Sequence, residues 1–144
     1  MGKPLYESLG FEAQCAIERW SRPGQPITPQ PSSITPGTPL LAALALESTI
    51  LDNGEATLYL RPGRNANHLG PFTANNQVAA QALLAQIPPE ASLFWDLFPD
   101  HPYAASLAAA NGLTPARRLI RMTLGSSVPK PSPQTLAIAG FEYG

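Results

Sequence analysis

The sequence predicts an α+β fold, a mixed and mostly antiparallel sheet with helices packed on both of its faces. Two observations lead to this prediction. From residue 38 onwards, the hydrophobic periodicity gives the element order α, β, β, α, β, α, β, β. In addition, a unit made of a helix, a glycine and an apolar strand occurs twice, once at the start of the chain and once near its end.

The two copies of this unit are related by a constant offset of 102 residues. Residues 5–20 read LYESLGFEAQCAIERW, and residues 107–122 read LAAANGLTPARRLIRM. Equivalent pairs are Leu5 and Leu107, Gly10 and Gly112, Phe11 and Leu113, Ile17 and Leu119, and Arg19 and Arg121. Glycine suits the end of the helix in both copies, because it enters the left-handed conformation of a C-cap without a Cβ penalty.

The first copy is predicted to form a short helix at residues 4–10 and a strand at residues 11–20. Pro4 fits the first turn of that helix, where its missing N–H would have no partner anyway. The strand alternates loosely, with Phe11, Cys15 and Ile17 on its apolar face. Cys15 is therefore expected to be a small buried side chain and not a nucleophile, since no histidine lies nearby in the sequence.

Six prolines between residues 21 and 39 interrupt both helix formation and strand pairing. This segment is predicted to be either a semi-rigid linker or a strap that crosses a surface. The chain therefore divides into residues 1–20, a proline-rich linker at residues 21–37, and a domain at residues 38–144.

Helices and strands of the domain at residues 38–144 are predicted from periodicity and turn signals. They are a helix to residue 51, strands at 55–61 and 66–73 joined by a hairpin loop, a helix at 75–87, a central strand at 92–98, a helix at 102–111, a strand at 117–124, and a closing strand at 135–141. The run at 92–98 is apolar on both faces, which is typical of a central strand.

The bulk composition excludes several classes of function. A net charge of −1 with 13% charged residues gives no electrostatic basis for binding nucleic acid or an anionic membrane surface. The N-terminal residues lack the apolar core of a signal peptide. One cysteine excludes an internal disulfide and a cysteine-cluster metal site, so a reduced, cytoplasmic setting is expected and no metal is predicted.

Four stretches resemble the GNAT (GCN5-related N-acetyltransferase) family. Residues 5–11 (LYESLGF) are similar to the tyrosine-x-x-x-glycine-phenylalanine pattern that closes such a domain. Residues 97–122, together with 61–71 (RPGRNANHLGP) and 136–144 (LAIAGFEYG), look like parts of the final domain of tandem GNAT proteins. The resemblance implies a GNAT-like fold, with residues 1–20 as the last helix and strand of a preceding domain. It also implies acetyl transfer from acetyl-CoA to an amine.

The resemblance further implies where a cofactor would bind. In the family, acyl-CoA lies between two central strands that splay apart, and its pyrophosphate meets N–H groups at the N-terminus of the following helix. This place corresponds to Thr73, Ala74, Asn75, Asn76, Gln77 and Val78. The family's glycine-containing loop is absent there, so Asn75 is alternatively interpreted as an ordinary helix N-cap.

The family's general acid, a tyrosine that protonates the departing thiolate, matches Tyr6. The equivalent residue of the second copy is Ala108, and a methyl group cannot donate a proton. Three functions therefore stay open: an acetyltransferase, a non-catalytic accessory or dimerisation domain, and a small-ligand-binding module. The partner implied by the second is either another copy in a homodimer or an upstream catalytic GNAT domain.

Other polar groups are weaker candidates. Asp96, Asp100 and His101 lie at the carboxyl end of the central strand, although Asp100 is also expected to cap the next helix. Arg61 and Arg64, beside Gly63, are expected to be solvated residues of the hairpin, with contact to an anionic ligand as the alternative. Arg117, Arg118 and Arg121 form either an anion-binding face or a set of charges that protects an edge strand.

Overall fold

The computed structural model describes residues 2–28, 30, 37–125, 129 and 131–140. Within them, the helices are α1 (Lys3–Ser8), α2 (Pro39–Ala45), α3 (Gln77–Leu84) and α4 (Ala104–Ala110). The strands are β1 (Phe11–Arg22), β2 (Thr49–Asp52), β3 (Ala56–Arg61), β4 (Asn67–Ala74), β5 (Leu93–Leu97), β6 (Thr114–Leu124) and β7 (Thr135–Ala137). These strands form one sheet, which confirms the predicted α+β class.

The sheet has the strand order β2-β3-β4-β5-β1-β6, and β7 pairs with β4 outside this path. Every pair of these strands is antiparallel except β4 and β5, which are parallel. β1, from the first copy of the repeat, lies between β5 and β6. Residues 11–22 therefore contribute an interior strand to the sheet that the rest of the chain builds.

Helices cover both faces of the sheet, as predicted. α3 and α4 pack on the face that carries Leu58 and Leu60 of β3. The core on this face also contains Leu69, Phe72, Leu83, Leu84, Leu93, Trp95, Leu97 and Leu107. α2 packs on the opposite face, where its Leu44 meets Tyr59. Leu58, Tyr59 and Leu60 follow one another along β3, so their side chains alternate between the two faces.

The helix that follows the Thr38 N-cap is shorter than predicted. It ends at Ala45 and not at residue 51, and residues 49–52 pair with β3 as an edge strand. Thr49 and Ile50 are β-branched, and such side chains favour a pleated strand over a helix. Local leucine periodicity therefore extended the predicted helix into a segment that long-range pairing makes a strand.

Part of the proline-rich segment is held against the sheet as a strap. The Gln25 N–H donates to the Glu90 carbonyl at 2.8 Å, and the Gln25 carbonyl accepts from the Ser92 N–H at 2.9 Å. The side chain of Asn67 then fixes Ile27 through two hydrogen bonds of 3.0 and 2.9 Å. Residues 23–28 are thus bound to the sheet, whereas residues 29 and 31–36 lie outside the described part of the chain.

The two copies of the repeat adopt the same local structure. Each helix ends in a glycine at positive φ, +87° at Gly10 and +80° at Gly112, as the sequence predicts for a C-cap. The Gly10 N–H donates to the Glu7 carbonyl and the Gly112 N–H to the Ala109 carbonyl, both at 3.0 Å. Since these bonds join equivalent residues, the repeat is structural as well as sequential.

β1 and β6 are related by an approximate two-fold axis. Ile17 and Leu119 are equivalent in the repeat, and they are also direct partners in the antiparallel ladder. Each strand has a one-residue bulge, at Gln14 in β1 and at Ala116 in β6, and these two residues are again equivalent. The axis therefore passes through the Ile17–Leu119 pair and exchanges the two copies.

The last strand does not close the sheet as predicted. The prediction is a strand at residues 135–141 that closes the sheet, but β7 is short and lies beside β4 in the interior. Leu136 and Ala137 have no exposed surface. The edge of β5 that faces away from β4 is paired with β1. Residue 141 lies outside the described residues.

Candidate functional site between strands β4 and β5

β4 and β5 splay apart after a short stretch of pairing. They are parallel partners only through residues 67–69 of β4 and 93–95 of β5. Beyond this stretch β4 bulges at Gly70 and Pro71, where its register with β3 shifts. The gap that opens between the strands is the place where the GNAT resemblance predicts acyl-CoA.

β7, from the chain's own C-terminal segment, fills this gap from the β4 side. Phe72 pairs with Ala137, and Thr73 pairs with Thr135. The Ala74 N–H donates to the carbonyl of residue 134 at 2.9 Å. The edge of β4 that faces the gap is therefore hydrogen-bonded to the chain itself.

The same segment is also bonded to β5. The Ile138 N–H donates to the Asp96 carbonyl at 3.1 Å. The indole N–H of Trp95 donates to the Leu136 carbonyl at 3.0 Å, and this bond is buried. β7 thus bridges the two strands and closes the core across the gap.

Gly70 and Arg61 form the seat for the C-terminal segment. A Cβ atom at Gly70 would lie 2.1 Å from the Ile138 carbonyl oxygen, and the φ of Gly70 is +149°. Arg61 is 7% exposed, and its guanidinium donates to the carbonyls of Gly70 and Ala139. The expectation that Arg61 is a solvated hairpin residue is therefore wrong, while Arg64 is exposed as expected.

These contacts give a structural meaning to two of the stretches that carry the GNAT resemblance. Residues 61–71 supply the arginine and the glycine, and residues 137–139 are the part of the chain that they hold. The motif and the C-terminal stretch are thus contact partners.

The predicted phosphate cradle lies where β4 leads into α3. Thr73 and Ala74 end β4, Asn75 and Asn76 connect, and Gln77 and Val78 begin α3. The N-cap is Asn76 and not Asn75 as expected, because Asn76 Oδ1 accepts from the Ala79 N–H at 2.8 Å. Asn75 Oδ1 instead accepts from the Gln134 side chain at 3.0 Å. Asn76 Nδ2 donates to the Glu55 carboxylate at 3.1 Å, so a negative charge already lies at this helix end.

Tyr6 lies away from the gap. Its side chain is about half exposed, and its ring packs edge-on against Phe11 at a centroid distance of 5.3 Å. It lines a groove between α1 and β6, and β1 separates β6 from β5. The structure therefore does not bring Tyr6 together with residues 73–78. Ala108 of α4, the equivalent of Tyr6 in the second copy, is fully buried in the core.

A buried ion pair joins β1 to β5. Arg19 Nε and Nη2 donate to the two carboxylate oxygens of Asp96, both at 2.7 Å, and Asp96 is 3% exposed. The same guanidinium lies over the Phe94 ring, 5.0 Å from its centroid. Asp96, which the sequence grouped with Asp100 and His101, thus belongs to the pairing of two strands.

A separate pocket of about 290 Å³ lies at the carboxyl end of β5, lined by Cys15, Phe98, Asp100, His101, Thr135 and neighbouring prolines. The His101 ring fixes one wall, because its Nε2 lies 2.9 Å from the Pro133 carbonyl. Burial raises the pKa of the Cys15 thiol; Arg121 opposes this and Asp100 adds to it. A raised pKa keeps the thiol protonated at neutral pH, which disfavours a nucleophilic role.

The sequence led us to expect Asp100 to cap the following helix, but it does not. α4 begins at Ala104, and its N-cap, Tyr103, makes no side-chain cap bond. In the described part of the chain, no three His, Cys, Asp or Glu side chains lie close enough to hold a metal ion. No helix there is long and apolar enough to cross a membrane.

Sequence reasoning missed the occupant of the gap, although a signal was present. A glycine inside a predicted strand indicates a bulge or the close approach of another backbone, and Gly70 marks both. The buried role of Arg61 carried no such signal, since its contact with Ala139 spans most of the domain.

Comparison with known proteins identifies the fold. No protein-family model matches the chain, and no curated protein matches it in sequence. A solved structure from Pyrococcus horikoshii, described as a "putative acetyltransferase", superimposes with a TM-score of 0.73 at 15% identity. The match covers 95% of this chain and 54% of that protein, so the chain spans about half of its length. The chain has an acetyltransferase-like, GNAT-like fold.

Proposed function

We propose that this chain is the non-catalytic, GNAT-like part of an N-acetyltransferase. Its role is to complete a second GNAT-like domain, which transfers an acetyl group from acetyl-CoA to an amine. The observation that carries the proposal is the position of β7, which fills the gap between β4 and β5. A domain whose cofactor gap is occupied by its own chain serves as a partner and not as the catalyst.

The cost of opening the gap supports this role. An acyl-CoA molecule in the gap would displace Leu136 and Ala137, neither of which is exposed. Burying one leucine contributes about 1.5–3 kcal/mol, and each backbone hydrogen bond of β7 contributes about 0.5–1.5 kcal/mol. Together with the hydrogen bonds to Asp96 and Trp95, these terms hold β7 in place by several times the thermal energy.

The chemistry around the gap supports the same role. Ala108 stands where the family has its general acid, and it is buried. Tyr6 is separated from the gap by β1. At the helix end where a pyrophosphate would bind, the Glu55 carboxylate is bonded to the N-cap residue and would repel phosphate. Catalysis by this chain itself would require each of these features to change.

The length of the structural neighbour supports a two-part arrangement. Residues matching this chain make up 54% of that protein, which leaves room there for a further unit of similar size. A second GNAT-like domain is the unit that the sequence resemblance implies. We therefore place acetyl-CoA binding and the amine substrate on the partner domain.

Calorimetric titration of acetyl-CoA into the purified chain tests this function. We expect no saturable heat at millimolar ligand, because β7 occupies the gap. Desulfo-CoA and acetyl-pantetheine, which lacks the pyrophosphate and the nucleotide, serve as controls that report on the thiol end and the phosphate end separately. Saturable binding that is lost with the analogue lacking the pyrophosphate would contradict the proposal and would assign residues 73–78 as a working cradle.

A further inference from the structure

We infer that the outer edge of β6 and the exposed side of α1 dock a β-strand from a partner GNAT-like sheet, and that this strand presents a carboxylate to Arg121. The inference rests on the proposed function, because it concerns the partner domain. It follows from the two-fold relation between β1 and β6: β1 pairs with a strand on each edge, so the relation places a second strand on the open edge of β6.

β1 has two neighbours in the sheet, whereas β6 has one among the described residues. β1 lies between β5 and β6, and β6 ends the sheet. Residues 18–22 of β1 pair with β5. The equivalent residues of β6 under the two-fold relation are 120–124, and they lie on its open edge. A strand in that position would complete the symmetric order β5-β1-β6-partner strand.

α1 exposes the side chains that its equivalent helix buries. Leu107 and Ala108 of α4 are 3% and 0% exposed, in the core formed with β5. Their equivalents on α1, Leu5 and Tyr6, are 51% and 47% exposed, and α1 has no buried residue. The missing neighbour therefore includes the strand and core that would cover α1, as β5 and its core cover α4.

The open edge of β6 continues this apolar surface. Ile120 is 44% exposed and Leu124 is 60% exposed, and both lie in the segment that the two-fold axis assigns to pairing. Between α1 and β6 runs a groove of about 600 Å³, lined by Tyr6, Phe11 and Met122 among others. Adjoining exposed apolar side chains of this kind mark a surface that binds protein.

Arg121 specifies the charge of the partner. It is the equivalent of Arg19, which forms the bidentate ion pair with Asp96 on β5. β6 has three arginines, at positions 117, 118 and 121, and no acidic residue. An incoming strand placed as β5 is placed would bring its own residue opposite Arg121, and a carboxylate there reproduces the existing pair.

A second copy of this chain does not supply such a strand. Its β5 already has β1 on one edge and β4 with β7 on the other. Pairing β6 with a second β6 would gather the arginines of both strands without any acidic residue on either strand, and like charges across a ladder are destabilising. The occupant is thus a β5-like strand of a different domain.

The test uses the whole chain and a peptide that copies residues 91–99 (ASLFWDLFP), with lysines appended for solubility, as a stand-in for the partner strand. Hydrogen–deuterium exchange by mass spectrometry measures which amides the peptide protects. We expect protection in residues 120–124 of β6 and none in β2, the opposite edge strand. Absence of protection in β6, or equal protection in β2, would overturn the inference.

Matched variants test the role of Arg121. Peptide affinity, measured by fluorescence anisotropy, should fall by roughly tenfold or more in Arg121→Gln, since a desolvated ion pair is lost. Arg64→Gln removes an equal charge from an exposed residue of the β3–β4 hairpin, away from β6, and should change the affinity by less than about threefold. A peptide with asparagine at the position that copies Asp96 should bind wild-type chain as weakly as the original peptide binds Arg121→Gln.

Two results would contradict the assignment. Equal losses in Arg121→Gln and Arg64→Gln would mean that only net charge matters. A doubled mass in light scattering, with β6 protected in the absence of peptide, would mean that a second copy covers the edge. Acetyl-CoA binding would overturn the proposed function and leave this assay interpretable, because the peptide reports on β6 alone.

Discussion

Gly70 is the residue on which the path of the C-terminal segment depends most closely. Its φ of +149° lies in a region that only glycine adopts readily, and the Ile138 carbonyl occupies the space of a Cβ atom. The Arg61 guanidinium then donates to the carbonyl of Ala139, the residue that follows Ile138. Two residues of one hairpin thus direct what enters the gap.

Gly70→Ala should lower the free energy of unfolding by about 1–3 kcal/mol more than Gly54→Ala, since it adds a steric clash to the cost of its φ. Gly54 also has a positive φ, +82°, but a Cβ atom there would meet nothing within 4 Å. Urea unfolding followed by tryptophan fluorescence measures both losses. Equal losses would mean that Ile138 moves aside freely, and the seat would then have little energetic weight.

The residues that could be predicted from sequence were those with a local cause. Gly10 and Gly112 end helices, and a C-cap needs only the residues around it. The helix N-cap was expected at Asn75 but lies one residue later, at Asn76. The side chain of Asn76 also donates to the Glu55 carboxylate. Arg61 could not be assigned, because its partner is remote in the chain.

Among the elements, β1 is the one whose position changes the architecture. It separates β5 from β6, and its Arg19 joins it to β5 through the buried carboxylate of Asp96. The alternation of apolar residues predicted that this segment is a strand. It could not predict the neighbours of the strand, because strand order follows from pairing between distant segments.

Asp96→Asn should destabilise the chain by about 1.5–3 kcal/mol, because the neutral amide no longer forms the charge-assisted bidentate pair with Arg19. The matched control is Glu18→Gln. It removes the ion pair between Glu18 Oε1 and Arg118 Nε, which lie 4.0 Å apart, and the Arg118 side chain is 72% exposed. We expect that control to cost less than about 1 kcal/mol. Equilibrium unfolding in urea measures both. A small loss in Asp96→Asn would show that the β1–β5 contact depends on packing and not on charge.

At the scale of the whole molecule, the sheet is closed in one place and open in another. β7 closes the gap in which a GNAT domain would hold acyl-CoA, and β6 leaves an edge beside the exposed face of α1. The proposed function rests on the filled gap, and the inferred docking of a partner strand rests on the edge of β6 that is open among the described residues.

Sequence reasoning reached the fold class and the repeat, because both are written in periodicity and local glycines. It did not reach the occupant of the gap. The strand at residues 135–137 has only three residues, and so short a run fits an outer strand as well as an inner one. The deciding contacts, to Ala74, Trp95 and Asp96, lie about 40 or more residues away in the chain.

Hydrogen–deuterium exchange of residues 133–140, with and without millimolar acetyl-CoA, tests most directly whether β7 fills the gap. We expect slow exchange at the Ile138 amide and its neighbours in β7, unchanged by acetyl-CoA, because Asp96 and β4 hold this segment. Fast exchange of β7 in the free chain, or exchange accelerated by acetyl-CoA, would mean that β7 leaves the gap and admits the cofactor.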